Sequence, residues 1–263
     1  MTLTKTIESR GELFEVSLEG PSGAPVLVLS NSLGTSRGMW DDQVRALADD
    51  LRVLRYNPRG HHPQSRADGD FTLEQLGTDV VGILDALEIE QADWCGVSMG
   101  GVVGQWLALN APQRVRRVVL ANTAAWLGGA ARWQERIDAV KARGTAAIAD
   151  ATIQRWFTEP FRDGQPATVQ RLKQQLLDTP AKCYAGCAAA LRDMDLREQV
   201  AGIRKPVLVI GGLHDTATPH ADAEFLQQRI PDAKLVSLDA AHISNVEQAV
   251  AFNAALRAFV LPA

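Results

Sequence analysis

The segment Gly96-Val97-Ser98-Met99-Gly100 sets a serine between two glycines, each two residues away. It follows the apolar run Ala92–Val97 and leads into Gly101–Asn110, which carries helical spacing. A serine on so tight a strand-to-helix turn takes strained backbone angles and exposes its hydroxyl. The helix start that follows turns free N–H groups toward any negative charge that develops there. The chemistry this predicts is attack on a carbonyl carbon. A serine hydroxyl is a poor nucleophile at neutral pH, so a general base must lie within hydrogen-bond reach.

Five histidines are available. His242 follows the apolar run Ala233–Leu238, in a loop able to return to a sheet edge, and is the best-placed base. His61 and His62 sit in the loop after an early strand, and His214 and His220 flank Asp215. Asp215, just past the run Pro206–Gly211, is the natural acid to orient the imidazole. Ser98, Asp215 and His242 all follow strand-like runs, at carboxyl ends where open α/β sheets build their sites. An oxyanion created by serine attack needs two backbone N–H groups. Met99, after the serine, supplies one, and Leu33 in the Gly- and Ser-rich loop Ser30–Ser36 supplies the other.

The elements that must hold these residues are short and regular. Runs rich in Val, Leu and Ile at 25–30, 51–56, 92–97, 115–122, 206–211 and 233–238 predict strands buried on both faces. Helical spacing over 40–49, 73–87, 101–110, 221–230 and 246–259 separates them. This alternation predicts an α/β fold with a mostly parallel sheet and helices on both faces. Residues 125–205 break the rhythm, with no strand pattern and helix breaks at Gly128-Gly129, Gly144, Glu159-Pro160, Gly164–Pro166 and Thr179-Pro180. They read as an all-helical lid inserted before the last two strands, over a core formed by 1–124 and 206–263.

Composition narrows the partners. The formal charge is −4 with 22% charged residues, and Arg114, Arg116 and Arg117 are too few to make a nucleic-acid patch. Three cysteines argue against a disulfide framework, and Cys183 and Cys187 lack the histidines of a zinc site. The N-terminal residues lack the apolar stretch of a secretory signal, and no apolar run reaches membrane-span length. The expectation is a cytoplasmic protein acting on a small molecule, with no nucleic-acid or membrane partner; oligomeric state is not legible.

The order Ser98, Asp215, His242 resembles that of the α/β-hydrolase superfamily. A narrower resemblance is to the 3-oxoadipate enol-lactonase family. It is carried by Asn31–Thr35 with Met39–Asp41, Gly96–Gly101 with Gly104–Leu107, and Ala121–Ala124, then by Trp133–Ile137, Arg155–Thr158 and Cys183–Leu196. It implies hydrolysis of a small enol-lactone to 3-oxoadipate in aromatic catabolism, through an acyl-enzyme, with no metal or organic cofactor. The chain departs from the family pattern at Arg59-Gly60-His61-His62-Pro63-Gln64-Ser65, where a second glycine is missing and a proline intrudes. The lactone's one carboxylate calls for a guanidinium, with Arg132 and Arg59 as candidates, while Trp126, Trp133 and Trp156 are candidate pocket walls. An esterase or perhydrolase, a carbon–carbon bond hydrolase, or a hydrolase-fold ligand-binding protein would share the same core.

Overall fold

The structure, a computed structural model, describes residues 2–62 and 64–261; Pro63 of the divergent loop lies outside the described residues. Eight strands form one sheet: β1 (Thr2–Ser9), β2 (Glu12–Glu19), β3 (Val26–Ser30), β4 (Arg52–Tyr56), β5 (Ala92–Val97), β6 (Val115–Ala121), β7 (Val207–Gly212) and β8 (Lys234–Leu238). Their spatial order is β1-β2-β4-β3-β5-β6-β7-β8. From β4 to β8 every pairing is parallel, as the continuous apolar runs predict, while β2 joins β4 antiparallel. The β1–β2 hairpin is an addition to the sequence reading. β1 shows only Ile7 and Ser9 buried among its described side chains, so it has no continuous apolar run to detect. Its two-residue turn uses Arg10 and Gly11, both at positive φ, the geometry that suits a tight hairpin.

Helices flank the sheet: α1 (Asp41–Leu47), α2 (Leu73–Ala86), α3 (Met99–Asn110), then α4 (Ala130–Arg143), α5 (Ala149–Trp156), α6 (Glu159–Gly164), α7 (Pro166–Asp178) and α8 (Ala181–Asp193), followed by α9 (His220–Arg229), α10 (Ser244–Glu247) and α11 (Ala249–Val260). α2 opens on a capping box: Thr72 accepts from the Gln75 N–H, and the Gln75 side chain accepts from the Thr72 N–H. The stretch expected as one helix over 246–259 is two, α10 and α11, parted at Gln248. Helices α4 to α8 all lie between β6 and β7, and α4 packs along α8.

The core beneath the serine turn is tightly tied. Trp94 of β5 is fully buried and donates its indole N–H to the Gly100 carbonyl at 3.0 Å, fastening strand to helix. The three arginines before and within β6 are committed to structure: Arg114 pairs with Asp85, and Arg116 and Arg117 lie 2.7 and 3.7 Å from the buried carboxylate of Asp93. All three cysteines are unpaired and buried. Among the described residues no helix is long and apolar enough to cross a membrane.

Candidate active site

Ser98 connects β5 to α3 with φ +56° and ψ −113°, a region L-residues avoid at a cost of about 1–3 kcal/mol. The surroundings hold it there. Its N–H donates to Ala121 O at 2.9 Å and its carbonyl accepts from Thr123 Oγ1 at 2.8 Å. The flanking glycines are required by space rather than by flexibility. A Cβ on Gly96 would stand 2.1 Å from the Gly100 carbonyl oxygen, and one on Gly100 would stand 2.2 Å from the Ser30 carbonyl oxygen.

The loop carrying Leu33 is held against this turn. Gly100 N–H donates to Asn31 O at 3.0 Å, and the Asn31 side chain bonds both the Tyr56 carbonyl and the Trp40 indole N–H. Among the described residues, neither the Leu33 nor the Met99 N–H donates to a turn or loop carbonyl. Leu33 lines the cavity over Ser98. The Met99 side chain points away, into a smaller pocket with Tyr56, Arg59 and Asp79, which leaves only its amide near the serine.

Asp215 and His242 meet at the ends of β7 and β8. His242 Nδ1 lies 2.8 Å from Asp215 Oδ2. A carboxylate only accepts, so Nδ1 carries a proton and Nε2 is the ring nitrogen left for general-base work. The carboxylate is buried and saturated with donors. Its Oδ1 accepts from the N–H groups of Ala217 and Thr218, and its Oδ2 accepts from Thr218 Oγ1 and Asn122 Nδ2. Burial alone would raise its pKa; His242 and the Thr218 donors overcome that and hold it below the ordinary carboxylate range. Ser98 and His242 line one cavity, which contains about 600 Å³ of free space with its mouth included.

Asn122 is a residue the sequence reading missed. It follows β6 at φ +44° and donates to both Asp215 and the Ala241 carbonyl, while Ser244 Oγ donates to its oxygen. It thereby joins the acid to the residue preceding His242. No short-range signal marks it, because its partners lie 93 and 119 residues away.

The other histidines stay away from the cavity. His61 is held by the Pro58 and Arg59 carbonyls, His214 by Asp239, and His220 by Ser237. Burial pushes the pKa of His61 down. No set of three or more His, Cys, Asp or Glu side chains converges into a metal-binding cluster among the described residues.

The opposite wall of the cavity comes from α4, α5 and α8. Arg132, Trp133 and Trp156 line it, as do Arg136, Thr152, Arg155 and Tyr184, which the sequence reading did not single out. Two expectations are corrected. Trp126 is 40% exposed and lies under the guanidinium of Arg197, 4.5 Å from the ring centre, outside the cavity lining. Arg59 lies outside this cavity, bound through two nitrogens to the buried Asp79 in the smaller pocket that Met99 also lines.

The three remaining arginines differ in freedom. Arg136 is locked, with Nε donating to the Tyr184 hydroxyl at 2.5 Å and Nη2 to Thr152 Oγ1 at 2.9 Å. Arg155 makes one long bond, to the same Thr152 oxygen at 3.3 Å, and Arg132 is exposed. Among the described residues no acidic side chain lines this cavity. Burial, with Arg136 and Arg132 close by, pulls the Arg155 pKa down, so an anion placed beside it would relieve an unfavourable charge.

The alpha/beta hydrolase fold family matches residues 25–249. The chain is 45% identical to 3-oxoadipate enol-lactonase 2 of Acinetobacter baylyi, across 91% of this chain and 90% of that protein. It is 42% identical to 3-oxoadipate enol-lactonase 1 of the same organism, across 95% and 94%. The crystal structure of the enol-lactonase from Burkholderia xenovorans LB400 superposes with a TM-score of 0.95 at 40% identity, covering 97% of this chain and 99% of that one.

Proposed function

The chain belongs to the α/β-hydrolase family, on the branch of the 3-oxoadipate enol-lactonases, and from that premise we propose that it opens 3-oxoadipate enol-lactone to 3-oxoadipate. Ser98, His242 and Asp215 act as nucleophile, base and orienting acid. The observation that carries the reading is the pairing of a serine turn with an acid-free arginine wall across one cavity. The first suits acyl transfer; the second suits a small substrate with one carboxylate.

His242 Nε2 takes the Ser98 proton as Oγ adds to the lactone carbonyl carbon. Asp215 holds the imidazole and stabilises the imidazolium. The N–H groups of Leu33 and Met99 receive the oxyanion. Collapse of the intermediate breaks the ring C–O bond and sends its electron pair to the ring oxygen, an enolate that takes up the His242 proton and ketonises. The substrate stays joined to Ser98 as an ester. Water, deprotonated by His242, then releases the dicarboxylate product. Residues 125–205 serve as the lid, and through Arg155, assisted by Arg136 and Arg132, they hold the carboxylate that the sequence alone assigned to Arg132 or Arg59. Trp133 and Trp156 close the apolar sides.

The test is an absorbance assay of lactone loss alongside simple 4-nitrophenyl esters. The reading predicts that kcat/KM for the lactone exceeds that for any neutral ester by at least about tenfold, the lower end of what one charge-assisted pair contributes. Equal turnover of neutral esters, or no lactone loss, would set the reading aside in favour of a general esterase.

A further inference from the structure

Glu247, the last residue of α10, joins two parts of the molecule that the reaction uses at different moments. Its Oε2 accepts at 2.8 Å from the N–H of Ala241, the residue immediately before His242. Its Oε1 accepts from the Thr158 N–H at 3.1 Å and from the Thr158 hydroxyl. Thr158 lies two residues beyond the end of α5, which carries Arg155 and Trp156 into the cavity. A further bond runs alongside, with the Ile243 N–H donating to the Trp156 carbonyl at 3.0 Å. The backbone on both sides of His242 is therefore fastened to the end of α5.

From this arrangement we infer that Glu247 is a positioning residue for His242, fixing the imidazole to the same segment that carries the arginine wall. Resting on the serine-hydrolase reading above, the inference adds a mechanical consequence. The end of α5 cannot swing away from the sheet without breaking bonds that place the base. Opening for product release is left to α7, whose bonds to the core do not involve the His242 loop: Gln175 accepts from the Ser36 N–H and Arg171 donates to the Gly38 carbonyl.

The chemistry of the side chain explains why a carboxylate is needed. Each oxygen faces backbone or hydroxyl donors, and only a carboxylate offers acceptors at both ends. In Glu247→Gln one end becomes an NH₂ group that must confront either the Ala241 or the Thr158 N–H. The substitution keeps size and shape, yet one half of the tie is lost. A residue that only stabilised the fold would lower the melting temperature and leave the reactivity of correctly folded molecules intact. A residue that places His242 affects the step in which the imidazole removes the Ser98 proton, whatever the acyl group.

The experiment is to measure the rate at which a neutral 4-nitrophenyl phosphonate modifies Ser98, displacing 4-nitrophenolate, together with kcat and KM for 4-nitrophenyl acetate. Neither needs the lactone, so failure of the lactone assignment leaves the test intact. Wild type, Glu247→Gln and Thr158→Val are compared well below their melting temperatures. Glu247→Gln is expected to react at least tenfold more slowly with the phosphonate and to lose kcat by a similar factor, with KM within twofold. Thr158→Val removes a hydroxyl from the α5 side and leaves the Ala241 bond in place, so its phosphonylation rate stays within twofold of wild type. A folded Glu247→Gln that reacts at the wild-type rate would overturn the inference. So would equal losses in both variants, which would mean that the α5 contact acts through general loosening. If Glu247→Gln does not fold, Glu247→Asp replaces it: too short to span both donors, it is expected to show the same split and would overturn the inference by failing to.

Discussion

Asn122 Nδ2 lies 3.0 Å from Asp215 Oδ2, so the acid facing His242 is oriented from the end of β6 as well as from its own loop. A hydrogen bond to a charged group contributes about 1.5–3 kcal/mol, or roughly 10- to 100-fold in a rate that depends on it. Asn122→Ala is accordingly predicted to lower kcat by that range with KM nearly unchanged. Steady-state kinetics on the lactone and on 4-nitrophenyl acetate should show equal losses, since Asn122 does not line the substrate cavity.

Arg155 is predicted to act on binding. Arg155→Gln should raise KM for the lactone at least about tenfold while leaving KM for a neutral ester within twofold, because a charge-assisted pair forms only with the carboxylate. Arg132→Gln should do less, since its guanidinium is exposed and screened. Comparing KM across the two substrates in each variant checks this. Equal effects on both would mean that the wall is packing rather than an anion site.

Arg59 is predicted to matter for stability alone. Its side chain is 13% exposed and that of Asp79 is 3%, so Arg59→Ala leaves a buried carboxylate without its partner, a loss of about 3–5 kcal/mol. Thermal or urea unfolding should show that loss, with KM for the lactone unchanged at temperatures where the variant is folded. The double replacement Arg59→Met with Asp79→Leu should recover most of the stability, because neither charge then remains buried.

Much of this arrangement is legible in the sequence, and the reasons differ by element. β3 to β7 show as runs because strands covered on both faces are largely apolar, whereas β8, at the sheet edge, is exposed or half-buried except at Leu238, so the expectation of burial on both faces fails there. The serine turn shows because close backbone approach at Gly96 and Gly100 leaves room for no side chain. β1 does not show, since its exposed residues alternate with few buried ones at the sheet edge. Arg132 and Arg136 are four residues apart on α4, a spacing that puts them on one helix face, but nothing local brings Arg155 of α5 beside them. Arg59 misled because its counter-ion, Asp79, lies twenty residues away on another element. Long-range pairing decides which charges are free for a ligand, and single-sequence pattern does not carry it.

The pH dependence of stability follows from Asp215. Its native carboxyl is held below the ordinary range by His242 and the Thr218 donors, against the effect of burial. A depressed native pKa adds stability that is fully present above the unfolded value, about 3.9, and is lost as pH falls through the native one. Wild type should therefore lose stability more steeply than Asp215→Asn as the pH is lowered from about 5 toward 2. Chemical denaturation at a series of pH values measures the difference. Parallel curves would show that the carboxylate gains nothing from its partners.

The central claim is covalent catalysis by Ser98, and turnover of 3-oxoadipate enol-lactone by purified, folded Ser98→Ala tests it most directly. Removing the nucleophile of a comparable serine enzyme costs kcat roughly 10⁶-fold, with the oxyanion donors retaining some rate above water. The account predicts a fall of at least about 10⁴-fold with lactone binding retained. Lactone loss within tenfold of wild type would contradict it.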